Sequence, residues 1–267
     1  MTANLNWLPD EVDIDTPCAA RIYDCLLGGS HNFAADRALA DKFDQALPGS
    51  RDIARLNRTF LRRAVLFLVE SGIRQFLDIG SGIPTAGNVH EVARHAAADT
   101  RVVYVDTDPI AVAHSQLTLE DNPQAIAIKA DLRAPESILC APQVRGLLDF
   151  SQPIGLLMVW VFHFVPIAQD AVGILRRYRD ALAPGSYLAV SHFTADSRSA
   201  EIAAMVEVMK RSANPIHPRT HAQIVELFTG FDMVDPGVVA TALWRPEGPV
   251  GNDAGHDEVL AGVGRKP

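Results

Sequence analysis

A glycine turn after a short apolar segment, in Gln75–Asn88 (QFLDIGSGIPTAGN), constrains the fold more than any other stretch. The apolar residues of FLDI predict a buried β-strand, which Gly80-Ser81-Gly82 interrupts. Glycines reach backbone angles that other residues avoid, and they let a ligand approach the main chain closely. A helical pattern follows from Asn88. Strand, tight turn and helix in this order form the unit that holds a nucleotide-like cofactor at the end of a parallel strand.

Strands and helices are predicted to alternate from Gln75 onward, which indicates a parallel sheet covered on both faces by helices. The strand candidates are Gln75–Ile79, Arg101–Val105, Ala125–Ala130, Ile154–Phe162, Ser186–Ser191 and Val238–Leu243. The helix candidates between and after them are Asn88–Ala97, Pro109–Leu119, Ala168–Ala181, Ser197–Arg211 and Thr220–Leu227. The segment Ala134–Phe150 is rich in proline and glycine and is interpreted as a connection.

Three regions follow from this pattern. Residues 1–72 are predicted to form a polar arm and then a helical cap, with helices at Cys18–Leu27, Ala34–Leu47 and Asp52–Glu70. Residues 73–244 are predicted to form the cofactor-binding α/β domain. Residues 245–267 are polar and contain several glycines, so they are predicted to be a loose tail.

An arginine stripe runs along the third cap helix. Its members share one face, apart from the apolar one, and are Arg51, Arg55, Arg58 and Arg62. Such a stripe is typical of a solvated surface. The alternative hypothesis is that one of these arginines reaches a carboxylate of a ligand.

Composition excludes several classes of protein. A chain of 267 residues, 48% of them hydrophobic, suffices for one α/β domain with an extension. The net charge of −8 and the absence of a long basic run argue against non-specific nucleic-acid binding. The longest apolar run, Ile154–Ala168, is shorter than the roughly 20 residues of a membrane helix, so no membrane association is expected.

Cysteine usage predicts the compartment. The chain has three cysteines and no C-x-x-C pair. This pattern favours a reducing cytoplasm and argues against a zinc site, so no metal is expected. The acidic start of the chain does not resemble a signal peptide, which also favours the cytoplasm.

Carboxylates stand at or near the ends of three successive strand candidates. Asp78 precedes Gly80 by two positions, Asp106 ends VVYVD, and Asp131 follows AIAIKA. The carboxylate after the second strand can accept both hydroxyls of a ribose, and the one after the third can accept the exocyclic amine of an adenine. Asp108 before Pro109 is better interpreted as a helix cap. One acid alone often caps a turn, but three at the ligand-binding edge of such a sheet predict a cofactor site.

The glycine turn also distinguishes between cofactors. The nicotinamide fingerprint G-x-G-x-x-G needs a third glycine, and Thr85 occupies that position here. Asp78 places a negative charge where a pyrophosphate would be repelled. S-adenosylmethionine carries a sulfonium and an amino group and no phosphate. The pattern D-x-G-x-G with a downstream acid therefore favours S-adenosylmethionine, or its product S-adenosylhomocysteine, over NAD.

Five stretches carry a resemblance to a known family: ARIYDCLLGGSHNFAADR (Ala20–Arg37), ARLNRTFLRRAV (Ala54–Val65), QFLDIGSGIPT, VVYVDTDPIAVAHS and LLMVWVFHFVP (Leu156–Pro166). Together they resemble the actinobacterial S-adenosyl methyltransferase family, formerly a domain of unknown function, within the class I Rossmann-like methyltransferases. The first stretch is the most distinctive. The chain departs from the family pattern at Ser30-His31 and at Trp160. The bulk of Trp160 is expected to narrow or line the pocket.

The resemblance implies an α/β, Rossmann-like class I methyltransferase fold. The sheet would be mostly parallel and seven-stranded, with helices on both faces and an N-terminal helical cap. The cofactor would be S-adenosylmethionine or S-adenosylhomocysteine. The residues implied to bind it are Asp78, Gly80, Ser81, Gly82, Pro84, Asp106, Thr107, Asp131, Leu132 and Phe162, with Tyr23, Asn32 and Phe33 from the cap.

Within that set, Asp78 and the glycine turn would hold the methionine part, Asp106 the ribose and Asp131 the adenine amine. His163 would lie near the sulfonium and is the candidate general base. The alternative is that His163 is a structural residue.

The predicted function is methyl transfer from S-adenosylmethionine to an unidentified small-molecule acceptor. Methyl transfer is an in-line displacement that mainly needs the reactants held in place, which fits the lack of an evident catalytic dyad. The first alternative is a non-catalytic S-adenosylmethionine-binding sensor or regulatory module. The second is an NAD-dependent oxidoreductase. Neither a nucleic acid nor a membrane is expected as a partner.

Overall fold

The computed structural model describes residues 13–85, 87–251 and 255–267. Within these ranges the chain forms ten α-helices and an eight-stranded sheet. Most of the predicted polar arm, residues 1–12, lies outside the described residues.

The helices and strands follow the predicted order closely. Three helices come first: α1 (Ala19–Leu26), α2 (Ala34–Ala46) and α3 (Ser50–Glu70). The strands are β1 (Gln75–Ile79), β2 (Arg101–Asp106), β3 (Ala125–Lys129), β4 (Gly155–Val159), β5 (Tyr187–Phe193), β6 (Asp232–Met233), β7 (Val239–Ala240) and β8 (Val259–Arg265). The later helices are α4 (Val89–Ala96), α5 (Pro109–Thr118), α6 (Pro135–Leu139), α7 (Pro142–Leu147), α8 (Ala171–Ala181), α9 (Ser199–Met209) and α10 (His221–Glu226).

The sheet has the strand order β3-β2-β1-β4-β5-β8-β6, and β7 also pairs with β8. Strands β1 to β5 are parallel, whereas β8 is antiparallel to its neighbours. The predicted Rossmann-like fold with a mostly parallel sheet is confirmed, with eight strands instead of seven. Parallel strands all end at the same edge, so the residues after β1, β2, β3 and β4 are brought together there.

Each face of the sheet is buried under helices, as expected for parallel strands. Side chains alternate between the faces along a strand. In β1, Phe76 packs in the same buried cluster as α3, whereas Leu77 and Ile79 join the cluster on the opposite face. This alternation places Asp78 on the α3 side of the sheet.

A buried ion cluster ties the cap to the sheet. The Arg21 side chain of α1 is 5% exposed, and its Nε lies 3.6 Å from Asp36 of α2 and 3.4 Å from Asp108 before α5. Its two terminal nitrogens donate to the backbone oxygens of Asp13 and Thr16. Because a buried charge is costly unless it is paired, this cluster fixes where the cap docks.

The prediction of a loose C-terminal tail is wrong for residues 259–265. They form β8, which pairs with β5 from Tyr187–Arg265 to Phe193–Val259 and is buried except at Arg265. Glycine makes this strand possible, because a Cβ on Gly264 would lie 2.8 Å from the Cβ of Phe231. The glycines on which the prediction of a tail was based thus let the loop after α10 pack closely against β8.

Three smaller predictions also need correction. The connection Ala134–Phe150 contains the short helices α6 and α7. The strand predicted to reach Phe162 ends at Val159 and is followed by a 3₁₀ turn, Phe162–Phe164. The strand predicted at Val238–Leu243 is the two-residue β7 followed by a second 3₁₀ turn, Thr241–Leu243. In the described part of the chain, no helix combines the length and apolar character that crossing a membrane requires.

The buried position of β8 predicts a clear effect of mutation. Val263 in β8 is fully buried. We expect Val263→Ala to lower the free energy of unfolding by roughly 1–3 kcal/mol, since two buried methyl groups are lost and a cavity remains. The exposed Leu243 is the control, and Leu243→Ala should change stability by less than about 1 kcal/mol. Urea unfolding measures the free energy of unfolding of both variants. An unchanged free energy for Val263→Ala would instead support the prediction of a loose tail.

Candidate functional site

A cavity of about 260 Å³ lies at the carboxyl edge of the sheet. Its walls come from the residues that follow β1, β2, β3 and β4, from the cap helices α1 to α3, and from the segment after α9. Open parallel sheets bind their ligands at this edge.

The glycine turn after β1 is tied to its neighbours on both sides. Gly80 has φ +74°, and its N–H donates to the carbonyl of Val105 at 2.7 Å. A Cβ on Gly80 would lie 2.2 Å from a methyl group of Val161, which follows β4. Only glycine therefore satisfies both the left-handed backbone and the close packing at this position.

Asp106 closes the turn from the end of β2. Its Oδ2 accepts the N–H of Gly82 at 2.8 Å, and its Oδ1 accepts the N–H of Asp108 at 2.9 Å. Burial raises the pKa of Asp106 to about 6, against the effect of these hydrogen bonds. Each oxygen accepts one backbone N–H and keeps further acceptor capacity toward the cavity.

Asp108 is a helix cap, as the sequence predicts. Its Oδ1 accepts the N–H of Ile110 at 2.6 Å and that of Ala111 at 3.3 Å. Its other oxygen faces Arg21 in the ion cluster. Asp106 and Asp108, two positions apart, therefore have different surroundings, and of the two only Asp106 lines the cavity.

Asp78 presents a buried carboxylate to the cavity. The residue is 5% exposed, and no described residue donates a hydrogen bond to its side chain. Burial, opposed by Arg58 and assisted by Asp106, raises the pKa of Asp78 to about 7. A buried carboxylate without a donor is costly, so this group is suited to a cationic ligand.

Arg58 is the member of the arginine stripe that lines the cavity. Arg51 lies near Asp41 and Asp44, Arg55 pairs with Asp52, and Arg62 pairs with Glu247. Among the described residues, Arg58 has no acidic side chain within salt-bridge distance, and its Nη2 donates to the carbonyl of Gly87 at 3.3 Å. The cavity thus receives one guanidinium that is free to meet an anionic group.

Asp131 and Arg133 form an ion pair after β3. Arg133 Nε lies 3.0 Å and 2.9 Å from the two oxygens of Asp131. This pair lowers the pKa of Asp131. Both side chains are partly exposed, so the pair is only weakly stabilising. Asp131 stays ionised and can accept a hydrogen bond from a ligand.

A hydrogen-bonded chain links the cap to the strand ends. The hydroxyl of Tyr23 accepts from Asn57 Nδ2 at 3.0 Å and donates to the carbonyl of Ala54 at 3.2 Å. Asn57 Oδ1 accepts from the hydroxyl of Ser191 at 2.6 Å. Ser191 Oγ in turn accepts the N–H of Trp160 at 2.9 Å.

Trp160 has an unusual backbone for a bulky residue. Its φ is +60°, in the left-handed region that costs a non-glycine residue on the order of 1–2 kcal/mol. Its ring centroid lies 5.1 Å from that of Tyr23 and 4.9 Å from that of Phe193. The strained backbone and these contacts aim the half-buried indole into the cavity, as its bulk predicts.

Comparisons with known proteins agree on one family. The family model of S-adenosyl methyltransferases matches residues 5–267. The chain belongs to the S-adenosyl methyltransferase family. A crystal structure from Thermobifida fusca YX, described as a candidate methyltransferase, is 43% identical with a TM-score of 0.92, over 97% of this chain and 98% of that one.

A DUF574 family protein from Streptomyces avermitilis MA-4680 is 40% identical with a TM-score of 0.91, over 96% of this chain and all of that one. No curated protein matches the chain. The predicted family, fold and cofactor, S-adenosylmethionine, are confirmed by these matches, and the methyltransferase is S-adenosylmethionine-dependent. The acceptor is not identified by them.

The structure gathers most of the predicted binding residues around the cavity of the methyltransferase. Those that line it are Tyr23, Asp78, Gly80, Ser81, Gly82, Asp106, Thr107, Asp131 and Leu132. Five predicted site residues do not line it: Asn32, Phe33, Pro84, Phe162 and His163.

Four of these five residues have other contacts, and His163 is described after them. Asn32 donates to Asp24 at 2.7 Å and so stabilises the loop between α1 and α2. Phe33 packs near Ile83 and Ile110. Pro84 lines a small neighbouring pocket instead. Phe162 is fully buried in the core behind the sheet edge.

His163 does not reach the cavity of the methyltransferase. The 3₁₀ turn after β4 buries its ring completely, 4.4 Å from Phe164 and 5.0 Å from Phe193. Neither ring nitrogen has a hydrogen-bond partner among the residues that the structure describes. Burial, with His192 and Arg219 nearby, holds the pKa of His163 well below its usual range. This position suits the structural alternative and not the proposed base.

Sequence reasoning missed the residues that distant segments bring to the cavity. Asn57 lies on the same helix as Arg58, and Met209, Asn214, Ile216 and His217 come from the end of α9 and the loop after it. The arginine stripe on α3 does point to Arg58, as one of its four members, from the sequence alone. No local pattern marks the residues after α9, because only the tertiary fold places them opposite the strand ends.

The buried neutral His163 predicts a specific pH dependence. Its pKa is lowered in the folded state, so the unfolded chain binds more protons below about pH 6.5 and stability falls as the pH falls. From pH 7.5 to pH 5, this one group should cost about 2 kcal/mol. His163→Leu should therefore lose about 2 kcal/mol less than the wild type over this range in urea unfolding.

The control for this prediction is His95→Leu, since His95 is exposed. That variant should follow the wild-type pH profile. A His163→Leu profile parallel to the wild type would contradict the assignment of His163 as a buried neutral residue.

Proposed function

We propose that the methyltransferase transfers a methyl group from S-adenosylmethionine to a small-molecule acceptor bound in the same cavity. The observation that carries this proposal is the division of one cavity into two ends. The charged residues of the cavity lie at the ends of β1 and β2, follow β3 or face these strands from α3, and the other end of the cavity is apolar.

The polar end fits S-adenosylmethionine in size and order. Adjacent strands lie about 4.8 Å apart, so the ends of β3, β2 and β1 present Asp131, Asp106 and Asp78 over about 10 Å. In our proposal they meet the adenine amine, the ribose hydroxyls and the amino group in that order. Ser81 and Thr107 and the backbone of Gly80, Gly82 and Leu132 complete this end of the cavity.

Arg58 and Asp78 together suit an amino-acid zwitterion. Both line the cavity, and they are close enough for Arg58 to lower the pKa of Asp78. We assign the α-ammonium of the cofactor to Asp78 and its α-carboxylate to Arg58. Two opposite charges on adjacent elements recognise this group more selectively than either charge would alone.

S-adenosylmethionine supplies a methyl group bonded to a positively charged sulfur. In the transfer, a lone pair of the acceptor forms the new bond to the methyl carbon as the C–S bond breaks, and that electron pair stays on sulfur. The acceptor then loses its proton to water. The protein's part is to align the acceptor and to exclude competing water, which Tyr23 and Trp160 do at the boundary of the two ends.

The alternatives differ from this proposal in turnover and in cofactor. A sensor would bind S-adenosylmethionine without turnover, and an oxidoreductase would bind NAD; the comparisons favour neither. Incubation with S-adenosylmethionine and a metabolite extract should release S-adenosylhomocysteine. Binding without any release across extracts would favour the sensor, and NAD binding tighter than S-adenosylhomocysteine would favour the oxidoreductase.

Asp106 and Asp108 offer a matched pair of variants. Asp106→Asn removes the charge that is proposed to hold the ribose, so S-adenosylhomocysteine should bind on the order of 10- to 1,000-fold more weakly. Asp108→Asn removes a partner of Arg21 and should lower stability while largely keeping affinity. Calorimetry and thermal unfolding separate the two. The opposite pattern would show that the ribose lies at Asp108.

The zwitterion assignment predicts which part of the ligand Arg58 recognises. Arg58→Gln should weaken S-adenosylhomocysteine roughly 10- to 100-fold, through loss of a charge-assisted hydrogen bond. It should leave 5′-methylthioadenosine unchanged, since that compound lacks the amino-acid part. Arg55→Gln, on the same helix and exposed, is the control. An equal loss for both ligands would exclude a contact to the carboxylate.

Affinity should also depend on pH through Asp78. Its pKa near 7 in the ligand-free protein means that it is mostly protonated at pH 6. An ammonium group prefers the ionised form, so calorimetry should show affinity rising as the pH is raised from 6 to 8. Asp78→Asn should abolish most of that rise and leave about a 2-fold change from Asp106, whose pKa is about 6.

A further inference from the structure

We propose that the methyl acceptor is an uncharged, mainly apolar ring compound that carries one nucleophilic hydroxyl or nitrogen. This inference rests on the proposed function and assigns a chemical class to its unidentified substrate. It depends on the end of the cavity that the cofactor residues leave open.

Sheet order locates the acceptor. Asp131, Asp106 and Asp78 mark β3, β2 and β1, and the next strand is β4. Trp160 directly follows β4 and lines the cavity. A cofactor that runs along the three acidic strand ends therefore brings its amino-acid portion, and with it the sulfur, toward Trp160. The acceptor must lie on the far side of that point.

The far side is built from hydrophobic side chains. They come from α1, α2, the turn after β4, α9 and the loop after α9, and most of them belong to a single buried cluster: Ile22, Leu26, Phe43, Phe164, Met209 and Ile216. A wall of this composition favours an acceptor with apolar surface, because burying that surface removes it from water.

Charge is confined to the cofactor end. The charged residues that line the cavity are Arg58, Asp78, Asp106, Asp131 and Arg133. Arg133 is held by Asp131, and Arg58 is assigned to the cofactor carboxylate. An anionic acceptor would therefore have no cation of its own, and burying an unpaired charge is strongly unfavourable.

His217 lines the cavity in the loop after α9 and is neutral near pH 7, because burial and Arg219 lower its pKa. Its side chain can therefore not pair with a charged acceptor.

Flat aromatic surface meets the acceptor where transfer takes place. The hydrogen bond from the backbone N–H of Trp160 to Ser191 fixes the main chain at this residue, and the Tyr23 ring packs against the indole. Stacked or edge-to-face aromatic pairs are more favourable than the area that they bury alone would give. A planar ring uses this surface better than a flexible chain of equal size.

Few polar groups remain for the acceptor at this end. Asn214 Oδ1 accepts from the N–H of Ala19 at 3.0 Å and from the Cys18 thiol at 3.4 Å. Within the described chain, the Asn214 amide nitrogen and the His217 ring have no hydrogen bond from their side chains. Asn214 lies beside Cys18, whose neighbour is Asp108, so the His217 ring is the group of this pair that faces the apolar end. It matches one polar atom on the acceptor, and a sugar or a nucleotide would be left largely unsatisfied.

A matched pair of ligands tests the inference. We would titrate the protein, saturated with S-adenosylhomocysteine, with 2-naphthol, with 6-hydroxynaphthalene-2-sulfonate and with glucose in a calorimeter. Naphthol should bind at least about 10-fold more tightly, since the sulfonate brings a charge without a partner. Equal or tighter binding of the sulfonate, tighter binding of glucose, or no binding of naphthol at millimolar concentration would each overturn the proposal.

A substitution in the apolar wall tests where naphthol binds in the cavity. Phe164 is half-buried and lines the cavity, so Phe164→Ala should weaken naphthol about 3- to 10-fold and leave S-adenosylhomocysteine unchanged. The control is Phe150→Ala, because Phe150 is also half-buried but packs on Arg145 outside the cavity. If both variants bind naphthol as the wild type does, the acceptor does not lie against this wall.

Two further measurements separate this inference from the proposed function. Binding of S-adenosylhomocysteine to the protein alone is measured first. If it does not bind, the result counts against the proposed function and not against the proposed class of acceptor. Naphthol is titrated with and without S-adenosylhomocysteine, so the class of acceptor is tested even if no methyl group is transferred.

Discussion

The buried amide of Asn57 is the contact on which the geometry of the site depends. Through Tyr23 it reaches α1, and through Ser191 it reaches the central strand β5 and the N–H of Trp160. The side-chain polar atoms of Tyr23, Asn57 and Ser191 all have partners in this network, and a fully satisfied network of this kind specifies one arrangement of its members. The helices of the cap, the sheet and the strained Trp160 are thereby held in one register around the cavity.

Local patterns were enough to predict the cofactor end. The limits of β1, the glycine turn after it and the capping role of Asp108 depend on residues within a few positions of each other. Parallel strands then bring Asp78, Asp106 and Asp131 to one edge without further information. The cap helices were equally clear, since their apolar residues recur at helical spacing.

Tertiary contacts decide what the sequence left open. β8 was missed because its glycines weaken a strand pattern unless a neighbour, here Phe231, needs the space. His163 was expected at the sulfonium because it follows β4, but a 3₁₀ turn rotates its ring into the core. The choice of Arg58 from four similar arginines depends on how α3 lies across the sheet, and the apolar end of the cavity depends on where α9 packs.

The position of β8 also has a consequence for biosynthesis. A ribosome makes β1 to β5 well before it makes β8, yet β8 pairs along the whole of β5 and its Val259 packs in the same cluster as the cap. During that interval the edge of β5 is an open template for pairing with other chains. The nascent polypeptide must therefore keep a hydrophobic strand unpaired until translation has passed β8, and a chaperone that shields this edge would raise the yield of native protein.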